Sequence, residues 1–468
     1  MGILDSAELE FSATVPVLVI GAGACGLVAA LAARGEGADV LVLERDRVPS
    51  GSTALSSGMI PACGTRLQSE AGVNDSPAIM AADILHKAEG KTDQGMVEAI
   101  CRASGPAIDW LIYDLAIELT LVKGFLYPGH SRLRMHAPPS RAGEHLIGNL
   151  TRAIERAGVD LMTNAHVTDL AVDKDARITG VRIRRPDGST EQIGCDSLIL
   201  ACNGYGGNPE LVRQHVPDMA DALYFGHPGN RGDAIIWGAD LGAHLKHLGA
   251  YQGHGSVAQP HNILITWALM MEGGIQVNTD GNRFSNEHRG YSEQARAVMA
   301  QPGGIAWNIY DDRLHHLGRD FDDYGQADKA GAILRAANLR ELAEKLVIPA
   351  TALENTLDEV VACAHGRDDH FGRNFKEKPA LKQPYYAVKV TGALFHTQGG
   401  IVVDENARAL QADGHPFPNL FAGGGAACGV SGDSDRGYLS GNGLLTAVVL
   451  GRLAGVSAAQ HVRDSTSI

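Results

Sequence analysis

Between a buried-strand pattern at residues 17–20 (VLVI) and an alanine-rich helical pattern at residues 27–33 lies Gly21-Ala22-Gly23-Ala24-Cys25-Gly26, and no other segment constrains the fold as tightly. Continuous β-branched residues and leucine suit a strand covered on both faces. Gly21 and Gly23 permit a tight turn and close approach of the backbone to a pyrophosphate, while Gly26 lets the helix pack against the strand. A second strand pattern at residues 39–43 ends at Glu44, eighteen positions after Gly26, where a carboxylate can accept from a ribose 2′-hydroxyl. A lone G-x-G-x-x-G says little. With strand, helix, second strand and terminal acid in order, it predicts a dinucleotide site on a Rossmann-like α/β sheet, the phosphates resting on the helix N-terminus.

Two later segments also run from strand into a glycine cluster. Residues 197–201 (SLILA) precede Asn203-Gly204-Tyr205-Gly206-Gly207-Asn208, and Asn419-Leu420-Phe421-Ala422 precedes Gly423-Gly424-Gly425. They predict that distant parts of the chain complete the nucleotide domain. Residues 165–172 and 177–183 alternate in polarity and are joined through 173–176, as in an antiparallel hairpin. From about 225 to 375 the chain turns polar and His-rich, with helical pattern near 328–365. The expected organisation is a nucleotide-binding domain over 1–225 and 376–468 around an inserted domain over 226–375. No second glycine fingerprint occurs, so electrons are expected from the substrate itself or from an external donor or acceptor rather than from a built-in nicotinamide module.

Several function classes are excluded or disfavoured. Forty Lys and Arg against fifty-four Asp and Glu give a net charge of −14, which repels nucleic acid and anionic lipid. No apolar run of membrane-spanning length and no basic, apolar leader is read, so no membrane span is expected. The seven cysteines are scattered, never spaced C-x-x-C, which suits reduced thiols in the cytoplasm rather than disulfides, attached haem or a metal site. The sequence leaves the oligomeric state open.

Five motifs together resemble a known flavoprotein group, that of soluble fumarate reductase, the succinate dehydrogenase flavoprotein, urocanate reductase and 3-ketosteroid Δ1-dehydrogenase. They are the fingerprint with Glu44; Gly51-Ser52-Thr53-Ala54-Leu55-Ser56-Ser57-Gly58; the 201–208 cluster; Gly281-Asn282-Arg283-Phe284-Ser285-Asn286-Glu287; and His396-Thr397-Gln398-Gly399-Gly400. The resemblance spans about residues 14–455 and implies FAD, held in a Rossmann-like domain with an inserted α+β capping domain. Members that hold FAD covalently use a His in the second motif; Ser52, Thr53 and Ser56 stand there instead, so non-covalent FAD is expected. The implied cofactor residues are Gly21, Gly23, Gly26, Glu44, Arg45, Ser52, Thr53, Ser57, Gly58, Val167, Asn203, Gly204, Asp233, Gly424, Asn442, Gly443 and Leu444. The stretch Gly437-Tyr438-Leu439-Ser440-Gly441-Asn442-Gly443 precedes a helical run, whose N-terminus can stabilise negative charge on reduced flavin.

The resemblance also implies the chemistry. Fumarate reductases carry a proton-donating Arg five residues after the Asn of Arg-Phe-x-Asn-Glu; here Tyr291 stands there, as a catalytic Tyr does in ketosteroid dehydrogenases. An Arg stays protonated, whereas a Tyr can be tuned to accept a proton, and His288, Arg289 and Arg436 are expected to favour its ionised form. His396, His254 and Thr266 match carboxylate contacts of the fumarate-reductase branch, but Trp267 replaces the acid that usually follows that Thr, which suggests a ring substrate. Catalytic roles are expected for Tyr291, Tyr438, His396 and Arg436, and substrate contacts for His254, Thr266, Trp267, Arg289 and Gly441. Arg132, Arg134 and His136 fit either a substrate channel or a solvated basic patch, and Met270 and Met271 read as core or pocket lining. The expected reaction is desaturation next to a ketone of a small cyclic substrate, with an oxo acid such as an oxocyclohexanecarboxylate as one form of it: Tyr291 takes the α-proton, hydride leaves for the flavin, and Tyr438 with the Gly441 or Gly443 N–H holds the carbonyl oxygen. The alternatives are an ene-reductase of an alkene acid fed by an external electron donor, and a flavin-binding protein without turnover.

Overall fold

The computed structural model describes residues 2–124 and 126–466. Its larger sheet has a parallel core in the order Asp160–Met162, Val40–Leu43, Ala13–Ile20, Thr190–Leu200 and Pro416–Ala422. The apolar run at 17–20 is buried to its last residue, and the predicted helix is Ala24–Gly35. The turn between them depends on glycine. Gly21 has φ +104°, and a Cβ at Gly26 would lie 1.8 Å from the Gly21 carbonyl oxygen. The late strands join as expected, Thr190–Leu200 between Ala13–Ile20 and Pro416–Ala422. The hairpin is also present: His166–Val172 and Ile178–Arg184 pair antiparallel.

A second sheet is organised around one long strand, Tyr385–Thr397. It pairs antiparallel with Tyr251–Ala258, Ile305–Asp311 and Ile333–Ala336, and parallel with Leu223–Tyr224. The inserted unit's sheet thus begins just before residue 225 and reaches past 375, because its central strand follows the helices Leu339–Leu346 and Ala350–Ala364 rather than preceding them. Its core gathers Leu269, Met270, Ile309, Leu314, Tyr324 and Val388. Met270 is part of that core.

The Arg-Phe-x-Asn-Glu motif is a buried charge cluster inside this unit. Glu287 accepts from Arg283 at 2.8 and 3.0 Å, from Arg373 at 3.0 Å and from the Gln276 N–H at 3.1 Å, and Arg283 also binds Asp369 at 2.6 Å. Burial alone would raise the Glu287 carboxyl; the two guanidiniums outweigh it and hold the group near 2.

Among the described residues one helix, Asn442–Ser465, is long and apolar enough to cross a membrane, and 67% of its apolar window is buried inside the protein. Its buried leucines and valines, among them Leu445, Val449 and Leu450, belong to the core of the larger sheet. That packing accounts for its apolar character without a bilayer.

Candidate active site

One continuous cavity runs from the fingerprint turn to the inner face of the second sheet. At its nucleotide end, the helix Ala24–Gly35 starts at Gly23, which has no side chain to cap it. First-turn N–H groups there face the cavity end where a pyrophosphate would rest. Glu44 accepts from the Ala22 N–H at 2.8 Å and the Asp46 N–H at 2.9 Å, and Thr53 Oγ1 accepts from the Ala24 N–H at 3.2 Å. Arg45 donates to the Gly229 carbonyl at 2.8 Å, tying the start of the inserted unit over this end.

The lining fits FAD. Asp233 faces the cavity with a buried Oδ1 that has no partner, and burial raises its carboxyl. Such a group calls for a donor from a ligand. Gly21, Gly23, Glu44, Arg45, Ser52, Thr53, Ser57, Val167, Asn203, Asp233, Gly424, Gly443 and Leu444 all line the cavity. Gly26, Gly58, Gly204 and Asn442 do not. Gly26 forms the turn behind the loop, Gly204 backs onto Thr397, Gly58 takes a φ of +64° beside Pro138, and Asn442 is fully buried with its Nδ2 on Ser431.

At the other end the two units meet around Tyr291. This residue opens the helix Tyr291–Met299, whose Ser292 Oγ accepts from the Gly253 N–H at 2.9 Å and so fixes the helix to the strand Tyr251–Ala258. His254 lies on that strand between two register shifts, irregularities that re-aim side chains at sheet positions beside sites. Its ring stacks on Tyr291 at 4.8 Å and on Phe395 at 5.5 Å, and meets the Trp267 edge at 5.7 Å. Trp267 is pinned by its Nε1–H to the Glu287 carbonyl, 3.2 Å away, so the buried charge cluster sets one wall of the cavity. Thr266 also lines it.

The Tyr291 and Tyr438 rings meet edge to face at 6.2 Å, and Ser440, Gly441 and Gly443 line the cavity beside them. Ser440 and Gly441 lead directly into the N-terminus of the helix Asn442–Thr466. Burial pushes Tyr291 up to about 12 and Tyr438 further. Tyr291 is therefore a phenol at neutral pH.

The expected cationic neighbours are not there. Arg289 and Arg436 are exposed and do not line the cavity. His288 is held near 4, burial being the main cause, and its Nε2 faces the Met270 carbonyl at 3.1 Å. None of these three side chains lines the cavity, and burial is the dominant influence on the charge of Tyr291. The loop candidates resolve as structural. Arg134 is 1% exposed on Asp75 and Asp83, His136 is on Thr65, and Arg132 is outside on the Asn74 carbonyl.

Tyr127, Gln252, Phe225, Phe395, Gln398 and Ser440 line the substrate end without having been predicted. Tyr127 lies in an irregular segment of the chain, where the sequence carries no periodic pattern. Gln398 shares the parity of His396, a signal that could have found it, whereas Phe395 sits where the strand's pairing shifts register, which no alternation shows.

The sequence profile of the FAD binding domain family matches residues 16–444. A probable fumarate reductase of Shewanella frigidimarina (strain NCIMB 400) is 30% identical over 97% of this chain and 76% of its own. The structure of the open conformation of a flavocytochrome c3 fumarate reductase superposes with a TM-score of 0.82 at 29% identity, over 98% of this chain and 80% of that one. A 3-ketosteroid-Δ4-(5α)-dehydrogenase from Rhodococcus jostii RHA1 shares the fold, with a TM-score of 0.78 at 24% identity over 97% of this chain and 99% of that one. With an FAD-fitting cradle joined to a tyrosine-lined chamber, the chain belongs to the FAD binding domain family and is an FAD-dependent oxidoreductase acting on carbon–carbon bonds.

Proposed function

We propose that the protein moves a hydride and a proton across a carbon–carbon bond conjugated to the carbonyl of a cyclic substrate. Bound FAD supplies the two-electron hydride chemistry. Tyr291 handles the α-proton. The Tyr438 hydroxyl, with the N–H groups of Gly441 and Gly443 behind it, donates to the carbonyl oxygen where negative charge develops. His254, Trp267 and Phe395 form an aromatic wall that suits a ring.

The observation that carries this reading is the gathering of Tyr291, Tyr438 and Ser440 in the cavity beside the N-terminus of one helix. A phenol held near 12 enters the reaction carrying its proton, so the resting site is poised to reduce an enone; desaturation is the same chemistry reversed, after the proton has been lost. The two directions separate in one experiment. FAD-loaded protein, kept anaerobic, is mixed with a saturated cyclic ketone in one cell, and chemically reduced protein with the matching enone in another. Reoxidation by the enone supports the reading, bleaching by the saturated ketone reverses its direction, and no response to any member of a ketone and enone panel overturns it. All seven cysteines are free thiols, which supports the cytoplasm as the working compartment.

A further inference from the structure

Gln398 occupies the variable position of His396-Thr397-Gln398-Gly399-Gly400. It is 4% exposed and lines the cavity. Its backbone is fixed on both sides, N–H to the Ala250 carbonyl and C=O from the Gly429 N–H, each at 2.8 Å. Its side-chain NH2 lies 2.9 Å from His396 Nδ1, and its Oε1 accepts the Ser431 hydroxyl at 2.7 Å. Ser431 Oγ in turn accepts from Asn442 Nδ2 at 3.0 Å. The chain Asn442, Ser431, Gln398, His396 thus donates in one direction throughout, towards the cavity.

A ring nitrogen that accepts carries no proton, so a neutral His396 keeps its proton on Nε2. The competing arrangement is visible beside it. An Nδ1–H would point at the Thr397 carbonyl, 3.4 Å away, a poorer partner than the amide at 2.9 Å. His254 has the same tautomer for an independent reason: the Ser256 backbone N–H, which can only donate, lies 3.2 Å from its Nδ1. The Nε2 edge of His396 lies against Gly443, where a Cβ would come within 2.8 Å of it, and its ring meets Tyr438 at 5.6 Å.

Both rings are also uncharged, burial holding His396 near 4 and His254 near 3. The groups facing His396 are the Gln398 amide, the Thr397 carbonyl, the Gly443 backbone and Tyr438, and the last is a neutral phenol. Among the described residues lining the cavity, Arg45 is the one arginine or lysine, and it stands at the nucleotide end. A carboxylate brought to the substrate end would lose its water and meet neutral donors without a cation, which is a poor exchange.

We propose that Gln398 is a specificity-determining positioning residue: it fixes His396 as an Nε2–H donor which, with that of His254, selects a substrate bearing an uncharged oxygen acceptor and turns carboxylates away. The word substrate here rests on the reading above; the tautomer does not. The oxo acid branch of the sequence expectation is thereby given up in favour of an uncharged cyclic oxo compound.

The test uses FAD-loaded protein labelled with 15N in histidine, read by long-range 1H–15N spectra from pH 6 to 8, with His396 assigned from the signals lost in His396→Ala. The expected pattern is an uncharged Nε2–H ring over the whole range. Gln398→Met should shift the proton to Nδ1 or mix the tautomers, and Gln398→Glu should yield a doubly protonated ring, while His254 stays unchanged in both. Fumarate added to the wild type should leave the His396 signals in place at millimolar concentration. An Nδ1–H or charged His396 in the wild type, a Gln398→Met spectrum like the wild type, or fumarate binding at or below millimolar overturns the proposal. None of these readouts needs turnover, so failure of the ketone chemistry would show separately, as inert flavin beside an intact tautomer.

Discussion

Tyr291 carries more of the account than any other residue, and its place in the sequence was readable while its charge was not. The family resemblance marked it by its place after Asn286-Glu287, but the expected cationic neighbours, Arg289 two residues before it and Arg436 from the C-terminal segment, are exposed, and burial leaves it a phenol held near 12. Tyr291→Phe should keep the fold and the yellow cofactor while lowering turnover by about 10²–10⁴-fold, the usual worth of a positioned acid or base. Steady-state rates on an accepted enone check this, and a variant within a few-fold of wild type refutes the assignment. Gly26 makes a different demand. Its missing Cβ would stand 1.8 Å from a backbone oxygen, so Gly26→Ala should yield protein that purifies colourless or misfolded, as absorbance at the visible flavin band would show.

Elements explain why the charged motif misleads. Arg283 and Glu287 look like site residues in sequence, yet they sit under Trp267 and bind one another, Arg373 and Asp369. Sequence shows that such residues are close along the chain; it does not show that Arg373, nearly ninety positions later, completes the cluster. Leaving either guanidinium uncompensated is costly, so Glu287→Gln should destabilise the protein by about 3–5 kcal/mol. The sign with pH follows from a carboxyl lowered by folding. Its stabilisation is whole above the unfolded value and fades as pH falls towards about 2. Urea midpoints should show the gap between wild type and Glu287→Gln shrinking between pH 5 and pH 3; a constant gap contradicts the ion-pair account. The strand Tyr385–Thr397 gives the same lesson for topology. Its His-Thr-x-Gly-Gly end was legible as a motif, whereas its membership of the second sheet depends on partners up to about 170 residues away.

At the scale of the whole molecule, the larger sheet offers a cradle for FAD and the second sheet closes over it with an aromatic chamber in which the described lining residues bring no arginine or lysine near Tyr291. The cradle was legible because pyrophosphate binding demands glycine at fixed spacing. The chamber was only half legible, since Tyr127, Phe225 and Gln398 reach it from separate segments with no shared pattern. With serines rather than a histidine in the segment Gly51–Ala54 and beyond it, FAD should be released into the supernatant when the protein is acid-precipitated, and flavin retained on the pellet would contradict non-covalent binding. The most direct test of the central claim follows the proton. Chemically reduced wild type and Tyr291→Phe are mixed anaerobically with a cyclic enone in deuterated water, with flavin reoxidation timed and the ketone product analysed. The account predicts fast reoxidation by the wild type with one solvent deuterium at the α-carbon, and a slowing of at least about 10²-fold in Tyr291→Phe. Equal rates in the two proteins would contradict it.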